Sequence, residues 1–397
     1  MSVADRATMN VTLPFREWTS FHVDKRLLLI AAMLLGIGLV MLTSASVGVG
    51  EKLHGDAFYF LKRQLQAIAL GLAAGAVLLA IPLSAWERLS FLVLLFGLIL
   101  LAIVVVPGVG NTVNGATRWL SVGGLTLQAS EPARIALLLY IAGYAVRQQQ
   151  SLRHEFVGLL RPMLVLALAA FLLLLEPDFG AAVVLLATAL GLLFLAGARV
   201  RDFLIFVLIG LAVFIPLALI YKYRLRRVLA FLNPWAYEND EGFQLIQSQM
   251  AIAGGEWFGA GLGNSVQKLF YLPEAHTDFV FAVFAEEFGF VGTAILVGLF
   301  MALIVRIIRI AREAAALSLW FEAYVATGIG IWLGLQSFIN IGVNLGLLPT
   351  KGLTLPLISY GRSSIIVVIA ALCLVLRVAH EVRRAELGVT ASGRRNR

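Results

Sequence analysis

Apolar residues in this chain are gathered into long blocks that short polar segments separate. A helix needs about 20 apolar residues to cross about 30 Å of hydrocarbon, and ten blocks approach that length. They lie near residues 27–48, 64–82, 89–107, 132–146, 158–175, 179–197, 203–221, 279–305, 320–345 and 356–378. The pattern predicts an all-α polytopic membrane protein with about ten transmembrane helices.

The composition supports this class and removes several others. The chain is 60% hydrophobic and 14% charged, whereas a soluble domain carries about 25% charged residues. The net charge of +8 comes from basic residues at the ends of apolar blocks, which favours membrane orientation over nucleic-acid binding. The single Cys373 cannot form an internal disulfide, and no Cys/His cluster has metal-ligand spacing.

Basic residues are more numerous on one side of the ten-span arrangement, which predicts that both termini are cytoplasmic. The first block lacks a small-residue cleavage site, so we expect a retained span and not a signal peptide. The resulting organisation is a cytoplasmic N-terminal tail (1–26), a ten-span membrane domain (27–378) and a cytoplasmic basic tail (379–397).

Three irregular segments fall on the predicted outer face. They are "GNTVNGATRWLSVGGLTLQASEPAR", the large loop 221–277 between spans 7 and 8, and "LGLLPTKGLTLPLISYGRSS". Irregular backbone at membrane depth is tolerated where protein or a watered cavity surrounds it. The three segments together therefore predict an outward-opening cleft.

Asp278 lies where the loop meets the eighth span, and two interpretations fit it. If the helix begins at the "HTD" turn, Thr277 or Asp278 can cap its exposed amides. Alternatively, burial beside Phe279 and Phe281 would raise the pKa of the Asp278 carboxyl toward the range of a general base. The two interpretations are compatible.

Two glutamates follow within the same span. On a continuous helix Glu286 would lie about 80° around and about 12 Å along from Asp278. Paired glycosidase carboxylates stand about 5–9.5 Å apart, so we do not expect these two acids to form such a pair. We interpret Glu286 as an acid that holds neighbouring helices together, and Glu287 faces another way without an assigned role.

A second group of candidates precedes the fourth span. Glu131 and Arg134 have i, i+3 spacing and can pair on one helix face. Arg118 and Trp119 are either an interfacial anchor with a snorkelling arginine or part of an anion site. Asp178, in the turn "EPDFG", is either a helix cap or a carboxylate that lines the cleft.

The basic stretch "YKYRLRRVLAFLNPW" is amphipathic, which predicts an interfacial helix. Its cations would contact lipid phosphates in general or those of a phosphorylated lipid substrate.

Taken together, these segments resemble the SEDS family (shape, elongation, division and sporulation) of bacterial cell-wall polymerases. The runs that carry the resemblance are "NGATRWL", "QASEPAR", "EPDFG", "RRVLAFLNPW", "GEWFGAGLGNSVQKLFYLPEAHTDFVFAVFAEEFGFVG" and "NIGVNLGLLPTKGLTLPLISYGRSS". They span nearly the whole chain and are more similar to the division branch of the family than to its elongation branch.

The resemblance implies a ten-span glycosyltransferase that polymerises lipid II into glycan strands on the outer face. It implies Asp278 as the catalytic aspartate, which would act as the general base. The implied substrate-binding residues are Arg118, Trp119, Glu131, Arg134, Asp178, His276 and Lys351.

Three departures from the family pattern stand out. Gln128-Ala129 replaces the usual "QP", Arg134 replaces a lysine, and Arg362 occupies a position that is usually glycine. An arginine there would narrow the cleft or add a phosphate contact. We therefore place Arg362 with Glu286 among the structural or cleft-lining residues.

The chemistry of lipid II fits these side chains. Its sugar is carried on a pyrophosphate, a good leaving group, so the reaction needs one base and cations for the departing group. Asp278 suits the first task; Arg118, Arg134 and Lys351 suit the second. No dedicated metal-ligand set and no other cofactor site is evident, although Mg²⁺ or Mn²⁺ would be able to share the second task.

We therefore expect a septal peptidoglycan glycosyltransferase of the bacterial inner membrane. By resemblance, its partners would be a class B penicillin-binding protein and other division-complex membrane proteins, without nucleic acid. Two alternatives remain open, a lipid II flippase and a non-enzymatic scaffold of the division complex. A transporter commonly shows related halves with broken helices at matching positions, and the sequence shows no such internal symmetry.

Overall fold

The structure, a computed structural model, describes residues 22–388 except 114–115, 123–124 and 221. Most of the predicted N-terminal tail and the end of the basic tail lie outside these residues. The side chains of Lys222 and Arg224 also lie outside the described part.

Ten helices occupy the positions of the ten predicted spans. They are α1 (Lys25–His54), α2 (Tyr59–Ala80), α3 (Leu83–Val105), α4 (Ser130–Arg147), α6 (Phe156–Leu175), α7 (Phe179–Leu195), α8 (Val200–Ile220), α11 (Val280–Ala316), α12 (Trp320–Asn344) and α13 (Arg362–Glu386). Shorter helices are α5 (Gln149–His154), α9 (Lys222–Leu232) and α10 (Phe243–Gly254). Among the described residues, eight helices are long and apolar enough to cross a membrane. The predicted class, a helical polytopic membrane protein, is confirmed.

A small antiparallel sheet interrupts the helical architecture between α3 and α4, and the sequence analysis did not predict it. Its strands are β1 (Asn111–Val113), β2 (Ala116–Val122) and β3 (Leu125–Gln128), in the order β1-β2-β3. The β2–β3 pair aligns Trp119 with Gln128. The backbone amide of Gln128 donates to Ser363 Oγ at 2.9 Å, and this bond ties the sheet to the start of α13.

The last helix begins at Arg362, so the prediction that this span starts at 356 is wrong by six residues. Pro356 lacks an amide hydrogen, and Leu357 has a positive φ of 65°, which a right-handed helix does not contain. The chain here packs against α1 at Gly38, where a Cβ would lie 2.8 Å from Ile358 Cα. Residues 355–359 are buried in the bundle at this contact.

The helix α11 is interrupted once, at Gly289, whose φ of 65° and ψ of −166° are not helical. The preceding loop fills the break: the Ala260 amide donates to Glu286 O at 2.9 Å, and the Phe290 amide donates to Glu256 O at 2.8 Å. Peptide groups that lose their helical hydrogen bonds at membrane depth need such partners, because water is not present there to bind them.

Candidate active site

Asp278 lies in the turn directly before α11, which starts at Val280. The helix N-cap is Phe279, and among the described residues no side chain of this turn caps the helix. Thr277 instead donates to Glu274, with 2.7 Å between Thr277 Oγ1 and Glu274 Oε2. The prediction that Thr277 or Asp278 caps α11 is therefore wrong, because the helix begins two residues later than that interpretation assumed.

The backbone of Asp278 is held by two amides of α12. The Asp278 carbonyl accepts from Asn340 Nδ2 at 2.9 Å and from Asn344 Nδ2 at 3.0 Å. The sequence analysis missed both asparagines, although two amides four residues apart in an apolar helix are a usable signal. Buried polar groups in apolar helices are almost always hydrogen-bonded to something specific.

The carboxylate of Asp278 is partly exposed and accepts no hydrogen bond within the described part of the chain. Burial raises the pKa of this carboxyl from 3.8 to about 7, and the charge of Glu274 adds to the rise. Arg227 and Arg118 oppose the rise. An acid with this pKa is half ionised near neutral pH, the range in which a general base works well.

The loop after α12 passes against Asp278, and the residues that flank Asp278 and Gly352 in sequence pack on aromatic rings. A Cβ at Gly352 would lie 3.1 Å from Asp278 Oδ2, so the loop that carries Lys351 passes directly against the carboxylate. Lys351 Nζ stands 4.7 Å from the centre of the Phe179 ring. His276 packs on Phe60, with ring centres 4.5 Å apart, and burial lowers the pKa of its imidazole.

Arg118, on β2, binds the turn between α6 and α7. Its Nε donates to Glu176 O at 3.1 Å, its Nη2 donates to Pro177 O, and its Nη1 lies 3.9 Å from Asp178 Oδ1. Asp178 caps α7 by accepting from the Ala181 amide at 3.1 Å, which confirms the capping interpretation. The structure thus brings Arg118 and Asp178 together, where β2 contacts the turn between α6 and α7.

Glu176 was not among the predicted residues. Its side chain is fully buried, and in the described part of the chain neither carboxylate oxygen has a hydrogen-bond partner. Burial and the neighbouring Asp178 raise the pKa of the Glu176 carboxyl to about 8, against the charge of Arg118. An uncharged, protonated carboxyl is consistent with this environment.

Glu131 and Arg134 pair as their spacing predicts, with 3.4 Å between Arg134 Nη1 and Glu131 Oε2. Both side chains are buried. Arg134 Nη1 also donates to Gln336 Oε1 at 3.0 Å, and its guanidinium stands 5.0 Å from the centre of the Trp332 ring. The pair faces α12.

The other predicted residues of the rim lie on the sheet and the start of α13. Trp119 is partly exposed on β2 beside Gln128. Arg362 donates from Nη2 to Thr126 Oγ1 and so links α13 to β3. Gln128 is the first residue of the Gln128-Ala129 pair that replaces the usual "QP" of the family. Its Nε2 donates to Asp178 Oδ2 at 3.0 Å.

The two glutamates of α11 are engaged with the loop before that helix. Glu286 accepts from Ser265 Oγ and from the Val266 amide, the latter at 2.9 Å. Glu287 accepts from Lys268 Nζ at 2.6 Å and from Ser44 Oγ at 2.7 Å. The expectation that Glu286 holds neighbouring helices together is corrected, because its carboxylate binds the loop that precedes its own helix.

In the part of the chain that the structure describes, no group of three or more His, Cys, Asp or Glu side chains converges to hold a metal ion. The acids of the site are spread over the α6–α7 turn, α4 and the start of α11. The involvement of a divalent cation stays a prediction.

The fold defines a polytopic membrane protein, and its candidate residues lie where the turn before α7, the start of α11 and the loop after α12 meet. The chain belongs to the FtsW/RodA/SpoVE family, described as cell cycle proteins, which matches residues 25–384.

Its relatives cover nearly all of the chain. It is 52% identical over 382 residues to the "Probable peptidoglycan glycosyltransferase FtsW" of Thioalkalivibrio sulfidiphilus, with 96% of each chain covered. It is 50% identical over 370 residues to the protein of the same name from Methylococcus capsulatus, covering 93% of this chain and 92% of the relative.

Solved structures show the same fold. One, from work on the structural coordination of polymerization and crosslinking by a peptidoglycan synthase complex, superposes with a TM-score of 0.74 at 32% identity. The rod shape determining protein RodA of Thermus thermophilus superposes with a TM-score of 0.69 at 30% identity. Each comparison covers 91% of this chain and 98% of the other.

Proposed function

We propose that this protein is a peptidoglycan glycosyltransferase that polymerises lipid II into glycan strands during septal cell-wall synthesis. Two relatives that are named as probable peptidoglycan glycosyltransferases share about half of their residues with this chain over almost its full length. The observation that carries the mechanism is Asp278, whose partly exposed side chain lies against the loop that carries Lys351 and whose carboxyl has a raised pKa.

Asp278 acts as the general base. It removes the proton from the attacking sugar hydroxyl, whose oxygen forms a bond to the anomeric carbon of the second sugar. The bond from that carbon to the diphosphate oxygen breaks, and its electron pair leaves with the diphosphate. The attack from the opposite face inverts the anomeric centre, and Asp278 later releases the proton to water.

Cations around the mouth stabilise the departing diphosphate. Arg118 is partly exposed on β2, and Lys351 directly precedes the Gly352 that lies against Asp278. Arg227 of α9 is also partly exposed, and its charge acts on Asp278. Charge developing on a leaving group is stabilised most by donors already held in place. Arg134, the third predicted cation, is buried and paired with Glu131, and it is linked through Gln336 to Thr354 of the loop that carries Lys351.

The remaining predicted binding residues have more local tasks. Trp119 would offer an aromatic face to a sugar ring, and His276 would shape the wall beside Phe60. Asp178 and Glu131 would hold the two arginines in place.

We further propose that the chain acts in the bacterial inner membrane at the division septum, with a class B penicillin-binding protein that cross-links the strands. A structure similar over 91% of this chain comes from a complex that coordinates polymerization with crosslinking, which supports a paired arrangement. The multi-pass helical bundle supports the membrane location.

The test is a reconstitution with the penicillin-binding partner and lipid II in detergent. Glycan polymer is measured by gel for the wild type and for Asp278→Ala, after both proteins are shown to be folded by their melting curves. We expect polymer from the wild type alone. Equal polymer from folded Asp278→Ala would overturn the base assignment, and lipid movement across vesicles without polymer would favour a flippase.

A further inference from the structure

Three amides lie four residues apart along one face of α12. Gln336, Asn340 and Asn344, which we call the amide ladder, are all buried, with exposed fractions of 1%, 1% and 0%. Their side-chain bonds reach beyond α12, to the start of α11 and to the segment that follows α12. Amides are costly in an apolar helix unless partners satisfy them, so the ladder indicates a connecting role.

Asn344 completes the start of α11. The helix has no capping side chain of its own among the described residues. Asn344 Oδ1 accepts from the Ala282 amide at 3.2 Å, while Asn344 Nδ2 donates to the Asp278 carbonyl at 3.0 Å. One side chain from another helix thus replaces the cap and holds the turn that ends in Asp278.

Asn340 joins that turn to the opposite wall of the mouth. Its Nδ2 donates to the Asp278 carbonyl at 2.9 Å and to the Leu353 carbonyl at 2.6 Å. Leu353 directly follows Gly352, which lies against the Asp278 carboxylate. A single amide therefore sets the spacing between the carboxylate and the loop that carries Lys351.

Gln336 extends the connection toward α4. Its Nε2 donates to the Thr354 carbonyl at 2.9 Å, and its Oε1 accepts from Arg134 Nη1 at 3.0 Å. The buried Glu131–Arg134 pair is thereby linked to the same loop. The amide ladder thus connects the buried Arg134 to the partly exposed Asp278.

We propose that Asn340 and Asn344 are positioning residues of the glycosyltransferase reaction, which hold the Asp278 carboxylate at a fixed place relative to the Lys351 loop. They act through the backbone of Asp278 and do not touch substrate. This inference rests on the proposed role of Asp278 as the base. A displacement of about 1 Å at a reacting group can cost about 100-fold in rate, which is the scale of effect expected.

The variants Asn340→Ala and Asn344→Ala test the proposal, and Ser337→Ala is the matched control. Ser337 is buried on the same helix, but its hydroxyl donates to Leu333 O within α12 and lies outside the ladder. Purified complexes are compared for kcat, for the KM of lipid II and for the pH dependence of kcat.

We expect both asparagine variants to lose about 10- to 100-fold in kcat, with the KM of lipid II changed by less than about threefold. We also expect the acidic limb of their pH profiles to move to lower pH, because a released carboxylate gains water. Ser337→Ala should remain within about twofold of the wild type.

Folding is verified first by melting curves, and activity is expressed per folded molecule. Where Asn344→Ala is unstable, Asn340→Ala decides, because it keeps the contact to Ala282. Wild-type kcat and pH profile in the folded variants would overturn the proposal, as would a loss of kcat with an unmoved acidic limb. Asp278→Asn, assayed in parallel, separates the base role of Asp278 from the positioning role of Asn340 and Asn344. If Asp278→Asn stays active, the base assignment fails. If Asp278→Asn is inactive while Asn340→Ala and Asn344→Ala stay active, the positioning role fails.

Discussion

The start of α11 and its break at Gly289 present acidic side chains only a few residues apart, yet the acids differ in what surrounds them. Asp278 has a partly exposed carboxylate that accepts nothing from the described residues. Glu286 accepts from Ser265 Oγ and from backbone amides, and Glu287 Oε1 accepts from Lys268 Nζ and Ser44 Oγ. The two glutamates differ from Asp278, the proposed base, in the hydrogen-bond donors that reach their carboxylates.

The comparison also shows two ways of ending a helical hydrogen-bond ladder inside a bundle. At Gly289 the preceding loop supplies backbone partners, with the Gly261 amide donating to Glu287 O at 3.0 Å. At the start of α11 a side chain of another helix, Asn344, supplies them. The loop that fills the break also binds the carboxylates of Glu286 and Glu287. Asn344 binds only the backbone at the start of α11, so the Asp278 carboxylate accepts no hydrogen bond among the described residues.

The largest effect should come from Asp278→Asn, which removes the base and keeps the shape. General-base catalysis contributes about 10²- to 10⁴-fold, so polymerisation rate should fall by that factor, measured as glycan formed per folded molecule. The matched variant Glu286→Gln should retain far more activity in its folded fraction. Equal losses in both would erase the distinction between the two regions.

Glu287→Gln should act on stability. It leaves Lys268, whose side chain is 9% exposed, without its charge partner, and removing one member of a buried pair costs about 3–5 kcal/mol. Thermal unfolding in detergent measures the loss. The double variant Lys268→Leu with Glu287→Leu should recover part of it, and a double variant no better than the single one would contradict this account.

Gly352→Ala tests how closely the loop approaches Asp278. The new methyl group would lie 3.1 Å from Asp278 Oδ2, so the carboxylate or the loop must shift. We expect a loss of about tenfold in kcat at nearly unchanged melting temperature. Gly298→Ala, where nothing lies within 4 Å of the added carbon, is the control. Activity of Gly352→Ala equal to that of the control would show that the approach has no consequence.

The raised pKa of Asp278 predicts a pH-dependent stability. Its carboxyl has a pKa of about 7 in the folded chain and near 3.8 when unfolded. Below pH 3.8 both states are protonated and the full stability is present; it declines as pH rises toward 7, where the folded carboxyl ionises at a cost. Asp278→Asn should therefore melt above the wild type at pH 8 and together with it near pH 4. A constant difference between the two melting curves would disagree with the raised pKa.

The smallest effect should come from Arg362→Gly. Its guanidinium donates to Thr126 on the sheet and not to Asp278 or its neighbours. We expect polymerase activity within about twofold and a stability loss of about 1 kcal/mol, the worth of one hydrogen bond. Thr126→Val is the companion variant and should match it in melting temperature. Complete loss of activity would show that this arginine has become essential.

Several features were accessible from the sequence because they depend on residues close together along the chain. The helices at the ten predicted positions follow from the apolar blocks, and the Glu131–Arg134 pair follows from one helical turn. The Asp178 cap follows from its place before a helix. Asp278 was identified as a candidate because an acid at the edge of an apolar block invites an explanation.

Other features were decided by contacts between distant residues. Asn344 and Asp278 lie 66 positions apart, and Ser44 and Glu287 lie 243 apart. The sheet was missed because its short strands lie among glycine-rich turns and acquire a fixed place only by packing over α13. The late start of α13 likewise depends on the fit of residues 357–358 against Gly38.

The sequence by itself determined the membrane class, the order of the helices and the charged residues near the ends of the apolar blocks, since hydrophobicity and helical spacing are local properties. The tertiary structure alone decided which of those charges remained available for chemistry. A carboxylate is neutralised, held or left open by the donors that reach it, and those donors come from helices and loops far along the chain.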